Sequence, residues 1–312
     1  MHQGRGTSAI RRAALAGVIG LLFAGTEVLA ARNCVSNTGN GRSPRVRGLK
    51  AVGLTSDGRL VCFSTGAPER ADDVGFVTGL GGADTSLVGI DFRVQDGQLY
   101  GVGNGGGVYR IDPTTAQATF VNQLSVPLDP TAAKFGVDFN PAADRLRIIS
   151  DMGQNLRHNV NMGGTTISDS PPLLNYTAGV TPGPTATGLT GAAYTNNDLP
   201  APATTSPTGT TLYDLDTNLN QIAVQSPPNA GSLVATGALG VDPSLDAGFD
   251  IYSVTLKTGD GGLVAVNNFG YAALTVGGSS GFYAVNVPTG AVFLLGTFDD
   301  VVVDVALPVN QN

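Results

Sequence analysis

Four aspartates recur in one short setting: Gly89-Ile90-Asp91-Phe92, Gly136-Val137-Asp138-Phe139, Gly248-Phe249-Asp250-Ile251 and Val302-Val303-Asp304-Val305. An altered copy, Gly191-Ala192-Ala193-Tyr194, carries alanine where the others carry the acid. Carboxylate oxygens suit hard cations, and several aimed at one centre repel one another unless a cation or a proton intervenes. Asp91, Asp138, Asp250 and Asp304 are therefore candidate metal ligands, calcium is the cation they would suit, and no motif calls for another cofactor. The same carboxylates can instead accept backbone hydrogen bonds within or between repeated units. Repetition with the fold favours that structural use.

A second constellation is Asp144, Arg145, Arg147, Asp151, Gln154, Asn155, Arg157 and His158. Guanidinium and amide groups clamp carboxylates and sugars, so Arg147, Asn155 and Arg157 are candidate binding residues. His158 titrates nearest neutral pH and, with Arg157, is the candidate for acid/base work. No serine or cysteine elbow accompanies it, which weakens a hydrolytic triad. Asp72-Asp73 and Asp299-Asp300 are adjacent pairs whose side chains diverge in a strand or turn, so neither makes a glycosidase site. Gly103 to Gly107 sits between strands with no Walker lysine, and reads as a hairpin.

The elements that must position these residues follow from the spacing. Successive copies of the aspartate motif start 47, 55, 57 and 54 residues apart, the interval of a repeated supersecondary unit such as a propeller blade. Turn signals such as Asp96-Gly97, Asn104-Gly105 and Asp112-Pro113 cut each unit into four short strands. The chain opens with three strands, Lys50 to Leu54, Leu60 to Phe63 and Gly75 to Thr78, and closes with one, Val301 to Leu307. Pairing that last strand with the first three would remove the open edges. The expected fold is an all-β propeller of five blades closed by the C-terminal strand, with six blades as the rival if an insert hides further strands. Asn196 to Gly209 and Leu256 to Asn268 read as such inserts.

Residues 1–30 have the plan of a signal peptide: Arg5, Arg11 and Arg12 precede the apolar run Ala13 to Phe23, and Val28-Leu29-Ala30 offers a cleavage site. The expected organisation is a signal peptide over 1–30, a tail over 31–45, one propeller domain over 46–307 and a C-terminal tail over 308–312. No transmembrane segment is expected after signal cleavage, and the location is periplasmic, secreted or at the cell surface. Cys34 and Cys62 are the only cysteines, and an oxidising compartment favours a disulfide between them. A net charge of −7, with Lys257 the sole basic residue beyond Arg157, argues against nucleic acid. The absence of tryptophan leaves little for a stacking platform.

Several ordered motifs are similar to those of the bacterial exported domain family of unknown function 4394. They include Val52-Gly53-Leu54-Thr55, Leu87 to Arg93, Phe135 to Pro141, Asp144 to Arg147, Gln154 to Arg157, Ala193 to Asn196, Thr211 to Asp216 and Pro227 to Gly231. The resemblance spans about Val46 to Leu307. It implies an exported repeat propeller and carries no activity; His158 departs from the family's pattern. The favoured function is a noncatalytic extracytoplasmic binding or scaffold domain, a monomer with a protein or glycan ligand, so an enzyme is the less favoured class. The alternative is a metal-assisted hydrolase or lactonase using the central aspartate ring.

Overall fold

Short runs of β-branched and aromatic residues, cut by turns that need left-handed backbone, leave the chain little option but antiparallel strands. Gly97, for example, follows Asp96 at φ +67°, and the Asp96 carboxylate accepts the Gln98 N–H at 2.9 Å. The structure, a computed structural model, describes Met1, Cys34 and residues 48–169, 173–178, 181–198, 209–259 and 261–311. The expected signal peptide and N-terminal tail therefore lie outside the described residues, apart from Met1 and Cys34, as does most of the insert after Asn196.

Blade 1 begins with β1 (Lys50–Thr55), β2 (Arg59–Ser64) and β3 (Ala67–Phe76). Blade 2 is β4 (Leu87–Phe92), β5 (Leu99–Gly103), β6 (Gly107–Asp112) and β7 (Gln117–Gln123). Blade 3 is β8 (Phe135–Asn140), β9 (Arg145–Ser150), β10 (Asn155–His158) and β11 (Thr166–Ser168). Two further strands, β12 (Asn175–Ala178) and β13 (Thr181–Thr185), precede blade 4 proper, β14 (Leu189–Tyr194), β15 (Leu212–Asp216), β16 (Gln221–Gln225) and β17 (Ser232–Ala238). Blade 5 is β18 (Pro243–Lys257), β19 (Leu263–Val276), β20 (Ser279–Val285) and β21 (Val292–Thr297). The last strand, β22 (Val302–Ala306), returns to blade 1 and pairs with β1, Val52 opposite Ala306 and Leu54 opposite Asp304. Five sheets result, and the propeller closes as the strand count at the two ends required.

Three local details differ from the reading of the sequence. The third strand of blade 1 lies earlier than Gly75 to Thr78, because its outer-edge sequence, Glu69-Arg70-Ala71-Asp72-Asp73, is polar on both faces and carries no alternation. Strands β12 and β13 extend blade 4 to six strands, β12 running parallel to β17 with Asn175 opposite Ser232. Leu256 to Asn268 is largely a continuation of the β18–β19 hairpin, not an irregular insert.

Each blade packs its faces on its neighbours, so the core is a set of five interblade clusters. At the closing seam Phe63 meets Phe282 and Phe298 edge-on at 4.9 Å, and Tyr271 stacks on Phe282. A disulfide joins Cys34 to Cys62 in β2. Around the axis the innermost strands touch in sequence, β4 on β8, β8 on β14, β14 on β18, β18 on β22 and β22 on β4.

That approach explains the recurring glycines. A Cβ on Gly136 would lie 2.7 Å from the Ala192 nitrogen, and one on Gly248 would lie 2.5 Å from the Asp304 Cα. Neither obstacle is a movable side-chain end. Gly248→Ala is expected to cost about 1–3 kcal/mol in urea unfolding, whereas Gly81→Ala, with nothing within 4 Å of the added carbon, should change stability by less than about 0.5 kcal/mol.

Candidate metal centre

In the copies at Asp91, Asp138 and Asp250 the glycine and the aspartate are two residues apart on an innermost strand, so both face the neighbouring blade. The sequence leaves open whether these carboxylates point into the axis or between sheets. In the structure they occupy the seams at the axis. Asp91 Oδ2 accepts the Phe139 N–H at 2.7 Å, from blade 2 to blade 3. Asp138 Oδ1 accepts the Tyr194 N–H at 3.1 Å, from blade 3 to blade 4. Asp250 Oδ2 accepts the Leu307 N–H at 2.6 Å, from blade 5 to blade 1, and Asp304 Oδ2 accepts the Ile90 N–H at 2.8 Å, from blade 1 to blade 2. Blade 4 has Ala193 at this position, and Asn197 bridges the gap instead, donating from Nδ2 to the Ile251 carbonyl at 2.9 Å.

Capping does not keep the acids apart. Oxygens of Asp91, Asp138 and Asp250 lie within 4.8 Å of one another, and all three residues are buried. Asp304 is not in that converging set; its two oxygens accept from Ile90 and Val305. Burial raises the Asp91 and Asp138 carboxyls well above the ordinary range, and neighbouring carboxylates push the same way. Burial likewise raises Asp250 to about 7, opposed by amide bonds from Leu307 and Ile251. Asp304 is raised well above its ordinary value by burial, against its own amide bonds. Three buried carboxylates this close cannot all carry charge without a counter-ion. The donor set is all oxygen and anionic, so the buried triad can coordinate a divalent metal.

This triad corrects the reading of a noncatalytic binding or scaffold domain, and with it the preference against an enzyme. That preference rested on the absence of a catalytic set in the sequence, but carboxylates able to hold a metal are assembled from strands with residues up to 159 positions apart. Only closure of the propeller brings Asp250 to Asp91.

The second constellation separates into two seams. Arg147, Asn155 and Arg157 face blade 4. Arg147, 1% exposed, donates to Asn155 Oδ1 at 2.7 Å, Asp169 Oδ2 at 2.9 Å, Asn229 Oδ1 at 2.8 Å and the Tyr194 hydroxyl at 3.2 Å. Arg157 also binds Asp169, at 3.0 Å. The carboxylate in this clamp belongs to the chain itself. Neither Asp169, Asn229 nor Tyr194 was singled out from the sequence as a site residue; a lone Asp beyond a short strand and an Asn in a Pro-rich turn carry no signal of it. His158 points to the opposite seam, its Nδ1 2.9 Å from Thr166 Oγ1 and its Nε2 2.9 Å from Asn122 Oδ1. Burial, with a smaller contribution from Arg145, holds its pKa down at about 4.

No helix among the described residues is long and apolar enough to cross a membrane. The family described as "Domain of unknown function (DUF4394)" matches residues 59–306. No curated protein matches the chain. Among solved structures, Myxococcus xanthus glutaminyl cyclase shares 14% identity, with 70% of this chain and 69% of that chain covered and a TM-score of 0.37. A Bacteroides thetaiotaomicron structural genomics protein of unknown function shares 13%, with 86% and 66% covered and a TM-score of 0.43. An auxiliary nutrient binding protein from Bacteroides ovatus shares 14%, with 76% and 56% covered and a TM-score of 0.35.

The two kinds of buried group titrate with opposite consequences. Asp250 ionises near 3.8 when unfolded and about 7 when folded, so its contribution to stability is lost as pH rises through that window. In chelator, the urea midpoint of the wild type is expected to fall relative to that of Asp250→Asn between about pH 4 and 7, and calcium should restore it. His158, lowered from 6.5 to about 4, favours folding above 6.5 and withdraws that support as pH falls. Its ring, followed by NMR, is expected to stay neutral down to about pH 4.

Proposed function

The chain belongs to the family of the domain of unknown function DUF4394, and from its central carboxylates we propose that it is a metal-assisted hydrolase that opens lactones or related esters. The observation that carries this reading is the convergence of Asp91, Asp138 and Asp250 oxygens within 4.8 Å at a buried point on the axis. These three residues would hold a divalent cation, and calcium suits their hard, charged oxygens. When bound, such an ion polarises a carbonyl and lowers the pKa of a coordinated water.

The chain's own groups set the conditions for that chemistry. The interblade amide bonds to Asp91, Asp138 and Asp250 fix the carboxylates before any ligand arrives, which is the role of outer partners in a metal site. Asp304 is held by two amides beside them without joining the converging set. Asp138, which accepts the Tyr194 N–H through Oδ1, would be the carboxylate to take a proton from an attacking water. Burial strengthens each of these interactions relative to bulk water. The reading includes export, with residues 1–30 as signal peptide, and a monomeric chain.

The test is turnover of a panel of γ- and δ-lactones and aryl esters, followed by acid release in calcium and in chelator. Chelator, Asp91→Asn and Asp138→Asn are each expected to lower kcat by about 100-fold or more. Calcium bound at the axis with no turnover of any substrate in the panel would overturn the hydrolase and leave the cation site standing.

A further inference from the structure

Blade 4 holds an excess of acceptor oxygens with nothing to receive. Both carboxylate oxygens of Asp214, Oε1 of Gln225 and Oγ1 of Thr190 are buried without a hydrogen-bond partner, in residues that are 0%, 0% and 1% exposed. They lie on the adjacent strands β15, β16 and β14. Asp214 stands opposite Ala223 and Leu212 opposite Gln225, so Asp214 and Gln225 are diagonal neighbours on one face of the sheet. The amide nitrogen of Gln225 is committed to the Pro228 carbonyl, which leaves its oxygen as the free end.

The charges nearby define what is missing. Arg147 and Arg157 both pair with Asp169, and burial, with Asp216 adding to it, raises the Asp214 carboxyl well above its ordinary range against the pull of Arg147. Arg147 donates to Asp169, Asn155, Asn229 and Tyr194 and makes no hydrogen bond to Asp214, and Asp216 is met by the Tyr176 hydroxyl and the Leu219 N–H. No Lys or Arg occurs between Arg157 and Lys257, so blade 4 has no cation of its own to offer Asp214. A water has two protons for three acceptors.

We propose that a buried monovalent cation of the sodium or potassium class sits between blades 3 and 4, coordinated by both oxygens of Asp214 and by Gln225 Oε1, with Thr190 Oγ1 beside it. A monovalent ion takes the place of the proton that burial favours on Asp214, whereas a divalent ion would leave an excess positive charge next to Arg147. The site is separate from the axial carboxylates and does not rest on the hydrolase reading. Its occupant ties β14, β15 and β16 together on the face that Arg147 covers.

Crystals of the full chain grown in rubidium or thallium salt provide the test. An anomalous peak within coordination distance of Asp214 and Gln225 is expected; a map without a peak there overturns the proposal, even if one appears on the axis. In solution, at equal ionic strength, the wild type is expected to melt several degrees lower in choline chloride than in potassium or sodium chloride. Asp214→Asn should melt alike in all three. Equal melting of the wild type in the three salts would overturn the site, because choline is too large to enter it.

Discussion

The propeller depends on one interaction repeated around its axis, a buried aspartate in one blade accepting a backbone N–H from the next. A neutral interblade contact would hold two sheets together by packing alone. A carboxylate–amide bond adds direction, and an acceptor able to carry charge makes it stronger than a bond between neutral groups. Four such bonds run blade to blade in a single sense, and Asn197 supplies the fifth connection where Ala193 interrupts the series. For Asp91, Asp138 and Asp250 the residue two positions earlier is a glycine with no room for a Cβ, which lets the blades approach closely.

The same interaction creates the chemistry. Innermost strands brought together at an axis bring three of their four aspartates together as well, and the amide bonds then prevent the carboxylates from swinging away. Structural and metal-binding uses of these residues are therefore parts of one arrangement. The amides offset part of the cost of burial, and the convergence of Asp91, Asp138 and Asp250 leaves a demand for a proton or a cation that no side chain among the described residues meets. Away from the axis the seams are satisfied differently: aromatic packing between blades 5 and 1, a neutral histidine between blades 2 and 3, and a guanidinium network between blades 3 and 4.

The aspartate copies and the unequal strand numbers at the two ends were enough to read five blades and their closure, because a repeat spaced by one blade length has few other ways to bury its faces. Outer strands were less legible. β3 is polar along its length and β13 contains Thr-Pro-Gly-Pro-Thr, so neither shows the alternation that marks a half-buried strand. The arginine cluster was visible as a group, but its division between two seams was not, because alternate residues of β10 leave on opposite faces: Arg157 toward blade 4 and His158 toward blade 2.

By itself, then, the sequence determined the repeat, the glycine that allows close approach and the acid that recurs beside it, since these are set by local stereochemistry and spacing. Tertiary structure alone decided which acids meet. Asp91 and Asp250 belong to blades 2 and 5 and become neighbours only when β22 closes the circle, while Asp304, in that closing strand, lies outside the converging set. Asp214 and Gln225 likewise look like ordinary strand and edge residues until blade 3 covers them. Their significance comes from burial without partners, a property of the assembled seams that no run of residues contains.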